Sequence, residues 1–182
     1  MKLKQKNADF ERPLQEALNF FKGERPAAES VINYEGAGAD GKGSSDSGRR
    51  AFFHVHGAGC YKCHSIGGRG GQVGPDLTVI ARTMNRPKLA QSILYPGKEI
   101  SPQFTQWAVE TVSGKVISGM MLGEEVNGDL RIGDNQGQIH LVPFREIASR
   151  TPMTTSVMPE RLHELMTLSE FSDLLAFLET LR

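Results

Sequence analysis

Only two of the 182 residues are cysteine, and they stand together in Cys60-Tyr61-Lys62-Cys63-His64. One neighbouring pair cannot staple a chain of this length, so the fold is not a disulfide scaffold. A structural zinc site takes four ligands, usually two Cys-x-x-Cys pairs or cysteines with distant histidines, and the second pair is missing. A thioredoxin-like dithiol belongs in a βαβ context, which the flanking sequence lacks. The remaining chemistry is covalent attachment of a c-type haem, for which Cys-x-x-Cys-His is the known spacing. Two thiols add across the two vinyl groups on one edge of the ring. Two intervening residues let one helical turn set both sulfurs against that edge. The histidine after the second cysteine then supplies the proximal nitrogen. The motif therefore predicts one haem c on Cys60 and Cys63, with His64 ligating its iron.

The flanks add to this. Asp46 or Ser47 can cap a helix carrying Phe52 and Phe53, which Gly57 and Gly59 end before Cys60. Downstream, Gly67, Gly68, Gly70, Gly71 and Gly74 form a run ending in Gly74-Pro75-Asp76-Leu77. Glycines let a backbone lie close to a flat macrocycle. Phe52-Phe53, then Cys60-x-x-Cys63-His64, then Gly74-Pro75-x-Leu77 resembles a class I cytochrome c. The resemblance implies a mainly α fold whose last helix crosses the first, with Phe52 or Phe53 against Leu174 or Phe177. It also implies that the Pro75 carbonyl accepts the Nδ1 proton of His64, fixing its tautomer and raising its basicity. By the same resemblance Arg82 meets a haem propionate.

The end of the chain offers the favoured candidate for the second iron ligand. Thr167 and Glu170 form a capping box, with Met166 and Phe171 as a hydrophobic staple. Phe171, Leu174, Leu175, Leu178 and Leu181 recur at helical spacing, so roughly the last 14 residues form an amphipathic helix. Met158 precedes it in a loop, and Pro159 holds Met158 away from helical angles. A thioether is a soft ligand that raises the reduction potential of haem iron. His64 and Met158 are thus the expected iron ligands. The alternatives are Met153, in Pro152-Met153-Thr154-Thr155; Met166; Met120 and Met121 in a strand-like run; and bis-histidine ligation by His140 or His163.

Between Ile100 and Arg150 the period changes. Alternating, β-favouring runs are separated by turns at Ser113-Gly114, Asn127-Gly128 and Asn135-Gln136-Gly137, which read as hairpins. A small antiparallel sheet of three or four strands is expected as an insert at about 103–143. Compact class I cytochromes lack it. The whole order, from Gly74-Pro75-Asp76-Leu77 through a helix around Arg86 to Leu94, Ile100-Ser101-Pro102-x-Phe104 and the insert to Val157-Met158-Pro159-Glu160-x-Leu162, is similar to one group. It resembles the c-type haem-binding domain near the C-terminus of large planctomycete-type membrane-bound dehydrogenases, over about residues 47–182. That resemblance implies electron acceptance from a fused or docked dehydrogenase and delivery to a further carrier, without catalysis by this domain. The rival functions are a haem enzyme or gas or redox sensor with a labile sixth iron position, and a metal-binding or interaction module without haem.

Ahead of this domain, residues 1–46 read as a helical arm and linker. Ala8 to Phe21 can form one helix with Leu14, Leu18 and Phe21 on a face. Gly36 to Gly48 has linker composition. Its formal G-x-G-x-x-G, Gly36 to Gly41, lacks the strand before and the helix after that a dinucleotide site needs. Lys+Arg and Asp+Glu both number 21, for a formal net charge of zero. That excludes a general nucleic-acid binder, which needs a positive field to displace counterions. No run is apolar for long enough to span a membrane, and the first residues lack the apolar region of a signal peptide. Because haem c is attached outside the cytoplasm, the expected location is periplasmic or otherwise exported, with the leader absent from this sequence. The sequence leaves the oligomeric state open.

Overall fold

A computed structural model describes residues 30–182. The helix expected over Ala8 to Phe21 lies outside the described residues.

The caps decide where helices begin. Helix α4, Leu168–Leu178, starts on Thr167, whose hydroxyl accepts the Glu170 N–H at 3.1 Å. The Glu170 carboxylate accepts the Thr167 N–H in return at 2.8 Å. Two otherwise orphaned donors are thereby satisfied. Helix α3, Arg86–Leu94, is capped by Asn85 and has a proline in its first turn. Helix α2, Ser45–Phe52, is capped by Ser44, two residues before the first candidate, Asp46. Asp46 sits instead in its first turn, where a negative charge suits the helix dipole. The helix stops at Phe52, ahead of Gly57. Helix α1, Val31–Ala39, takes in Gly36 and Gly38, residues with linker composition. Packing overrides that composition: the Tyr34 ring is buried and its hydroxyl donates to the Met166 carbonyl at 2.6 Å.

Helices α2 and α4 cross where Gly48 faces Asp173 and Phe177. A Cβ on Gly48 would overlap the Asp173 carbonyl and come within 2.7 Å of the Phe177 Cβ. The missing side chain lets Phe52 and Phe177 meet edge-on, with ring centroids 6.1 Å apart. Around this crossing Tyr34, Phe52, Leu89, Phe171, Leu174 and Leu175 form the main core. Each such side chain stabilises the fold by about 1.5–3 kcal/mol relative to exposure. The buried Arg86 guanidinium ties α3 to this core, donating to Glu179 at 2.8 Å and to the Lys42 and Ser172 carbonyls.

The expectation of a mainly α fold is overturned. Strands β1 (Ser65–Ile66) and β2 (Arg69–Gly70) pair as a short ribbon. Strands β3 (Gln106–Thr111), β4 (Val116–Glu124), β5 (Leu130–Gly133), β6 (Ile139–Val142) and β7 (Ile147–Pro152) form a five-stranded antiparallel sheet. Its order is β6-β5-β4-β3-β7. With four helices among the described residues the fold is mixed α and β. The sheet is no appendage, for it has a core of its own in Val109, Leu130, Ile132 and Val142. The three hairpin turns fall at the expected glycines, Gly114, Gly128 and Gly137, each with φ near +80°. Strand β7 extends beyond 143, the expected end of the insert. It folds back on β3, pairing Thr151 with Ala108. A third small cluster joins Met120 of the sheet to Val73 and Val157, which lie in loops.

Gly48 and Gly36 make opposite predictions. Gly48→Ala forces the α2–α4 crossing apart and should cost about 1–3 kcal/mol or more, as overpacking does. Gly36, exposed in α1 with open space around its Cα, should gain roughly 0.5–1 kcal/mol on substitution by alanine. Urea midpoints of the two variants check both signs.

Candidate functional site

The Cys60–Lys62 segment is one turn of 3-10 helix, entered through Gly59 at φ 67°. The His64 N–H closes onto the Cys60 carbonyl at 2.9 Å, so both cysteines and the histidine share one tight curl. The Gly74–Leu77 segment is zipped beside it. Gly74 N–H donates to the Cys63 carbonyl and Leu77 N–H to the Ser65 carbonyl, both at 2.8 Å. Asp76 locks the register: its carboxylate accepts the Ser65 hydroxyl and the Thr78 N–H, each at 2.7 Å. Hydrogen bonds from Thr78 and Ser65 hold the Asp76 carboxyl below the usual carboxylate range. Sequence reasoning missed this clamp, because only the folded ribbon brings Ser65 to Asp76.

This frame sets the Pro75 carbonyl 2.9 Å from His64 Nδ1. A carbonyl only accepts, so Nδ1 carries the proton and Nε2 keeps its lone pair. Gly74 is glycine for a local reason. A Cβ there would lie 2.6 Å from the His64 ring. Of the downstream glycines, Gly74 alone lines the cavity that His64 faces; Gly70 and Gly71 instead lie against the backbone of Lys62 and His64.

That cavity has a volume of about 450 Å³, within the usual range for a cofactor or drug-sized ligand. Cys60, Cys63, His64 and Pro75 line it on one side, and α3 contributes Leu89 and Ile93. Val157, Met158 and Pro159 come from the loop before α4. The sheet and its approach supply Met120, Phe104 and the β5–β6 turn residues Asn135 and Gln136. The Met158 N–H is tied to the Ser156 hydroxyl at 3.1 Å, which fixes the loop from within.

The other ligand candidates separate clearly. Met120 lines the cavity, and so does Met84, which the sequence reading passed over because no periodicity marks it. Met121 packs against the sheet core and Met166 in the helical core. Met153 continues the strand pairing through its N–H to Gln106. His140 is bonded to Asp134 at 2.7 Å. His163 is buried with its ring edge-on to Tyr34, 5.0 Å between centroids. Arg82 is exposed at the end of the 3-10 turn Ile80–Arg82 and is not among the cavity residues, although Ile80 of that turn is. The cations that do line the cavity are Lys62, Lys88 and Lys98.

The thiols are free and are not poised as thiolates. Burial pushes the Cys60 thiol up to about 11. Burial, followed by the charge of Asp134, raises Cys63 as well. A redox dithiol depends on a depressed thiol pKa, so this site shifts the wrong way for that chemistry. Burial likewise lowers His64, opposed by its bond to Pro75, and keeps the imidazole neutral. Among the described residues no cluster of three or more His, Cys, Asp or Glu side chains could hold a bare metal ion.

A haem fits what is present. The cavity is largely apolar, two thiols stand on one side, and an imidazole offers one nitrogen with the other already committed. Three thioether side chains are within the same walls. No family model and no curated protein sequence matches this chain. Among the described residues no helix is long and apolar enough to cross a membrane.

The pKa directions fix the pH response of the reduced polypeptide. Below the ordinary histidine value of 6.5, the unfolded chain takes up a proton that folded His64 refuses, so stability falls as pH drops. Between 9.0 and about 11 the unfolded chain loses a proton that folded Cys60 keeps, so stability falls as pH rises. The urea midpoint should therefore be highest between these limits, and Cys60→Ala should flatten the alkaline limb.

Proposed function

We propose that this chain is a monohaem c-type cytochrome that carries single electrons. The observation that supports it most is the 2.9 Å bond between His64 Nδ1 and the Pro75 carbonyl, which leaves Nε2 as the free donor beside two thiols in an apolar cavity.

Each residue then has a task. The Cys60 and Cys63 sulfurs each add to a vinyl carbon while the thiol hydrogen goes to its neighbour, so each thioether forms without an oxidant. His64 gives Nε2 to the iron, and the Pro75 carbonyl strengthens it as a donor. Met158 would supply a thioether as the second iron ligand. Val157, Leu89, Ile93 and Phe104 keep water from the ring. A haem held this way supplies a one-electron iron couple. The protein's contribution is rigidity: Asp76 and the Gly74–Leu77 segment hold the histidine in one orientation in both charge states.

The donor in this reading is a dehydrogenase, fused or docked, and the acceptor a further carrier protein. Such encounters use small interfaces, under about 1,200 Å² in total. Haem c is attached outside the cytoplasm, so the working location is the periplasm or an equivalent exported space.

The test is a pyridine haemochrome spectrum of protein made alongside the haem-attachment machinery. A c-type spectrum is expected, with a mass gain of about 0.6 kDa that survives acid-acetone extraction, as thioether linkage requires. Quantitative alkylation of both cysteines in that material would refute the reading. Met158→Ala should abolish the weak thioether-to-ferric charge-transfer band and lower the midpoint potential. Met84→Ala and Met120→Ala should keep the band. Rapid carbon monoxide binding by the reduced wild type would instead favour a labile sixth position.

A further inference from the structure

We propose that Lys98, with Lys88 beside it, is the counter-charge for the two haem carboxylates, and that Glu99 sets how much of that charge they receive. This rests on the haem reading above and goes beyond it. The two carboxylate arms of haem lie on the ring edge opposite the vinyl groups. Once Cys60 and Cys63 fix the vinyl edge, the carboxylates belong to a different part of the wall. Lys62 sits between the cysteines and is committed to the attachment side. The remaining cations of the cavity are Lys88, in α3, and Lys98, in the loop that follows it.

These two lysines are not equivalent. Lys88 is half-buried and already paired, with its Nζ 2.6 Å from Glu99 and 3.2 Å from the Gln91 side-chain oxygen. The bond from Lys88 holds the Glu99 carboxyl below its usual range, so Glu99 is ionised at neutral pH. Lys98 is exposed, and no side-chain carboxylate among the described residues is bonded to it. Among the described residues, then, Lys88 is bonded to a carboxylate and Lys98 is not, although the charge of Lys98 also helps to lower Glu99. Ser101 lines the cavity as a neutral donor, whereas the Ser92 hydroxyl already donates to the Lys88 carbonyl. Carboxylates brought to a largely apolar wall need such partners, since an unpaired charge there is strongly disfavoured. Arg82 is exposed and outside the lining, so the resemblance's assignment gives way to the lysines.

The signs follow from Coulomb's law. A cation near the ring disfavours the ferric state, which carries one more positive charge. Lys98→Met should lower the midpoint potential at low ionic strength. Glu99→Gln releases Lys88 and should raise it. Arg82→Met should leave it unchanged. Proximity alone could produce those shifts, so the direct readout is the propionate bending band in the resonance Raman spectrum. That band should move in Lys98→Met, return toward wild type in Lys98→Arg, and stay in Arg82→Met. An unchanged band in both Lys98→Met and Lys88→Met, or a shift in Arg82→Met, overturns the proposal. Lys98→Gln serves if Lys98→Met loads poorly, with haem content read by pyridine haemochrome. Wild-type protein that carries no covalent haem would sink the reading underneath instead, and the two failures are thereby told apart.

Discussion

The bond from His64 to the Pro75 carbonyl organises the site. It spans eleven residues of sequence and converts an ambidentate ring into a donor with one defined nitrogen. Its geometry is not left to two residues. The Asp76 carboxylate, the Gly74 amide and the Leu77 amide stitch the two segments together. Burial adds the electrostatic half, since it holds the imidazole neutral. An imidazole must be neutral to offer its lone pair to a metal, and here solvent exclusion favours that form.

The two layers divide the remaining work. The helices provide a stiff frame through the α2–α4 crossing, where a single missing methyl group at Gly48 sets how closely the backbones approach. The sheet provides a wall. Met120 reaches the cavity from β4, and Asn135 and Gln136 reach it from the β5–β6 turn. That turn is itself held by Asp134, which accepts N–H groups from Gln136 and Gln138 and pairs with His140. His140, considered as a ligand from the sequence, is not among the cavity residues and is bonded instead to Asp134 of this turn.

What was legible in the sequence was local. The Cys60–His64 curl, the Thr167–Glu170 capping box and the glycine turns each depend on residues a few positions apart, and each folds as its own chemistry dictates. The Phe52–Phe177 contact joins distant segments, but the resemblance supplied it. Strand β7 was not legible. Ile147-Ala148-Ser149-Arg150-Thr151-Pro152 has no apolar alternation, because this edge strand is mostly exposed and is held by backbone pairing to β3. Missing it made the sheet look smaller and the fold more helical than it is. Met84, Lys88 and Lys98 were missed for a related reason. Which side chains share a wall depends on how α3 and its following loop pack, and no short motif encodes that.

The burial of Tyr34 bears on where this chain can be cut. Linker composition marks position 47 as the natural start of a self-sufficient unit. Yet Gly38 rests against Ala90, with Leu175 and Phe171 close by, and the Tyr34 hydroxyl anchors to the stretch leading into α4. A fragment trimmed to that point would bare an oily flank on its two principal helices, and its solubility would suffer before its chemistry could be assayed.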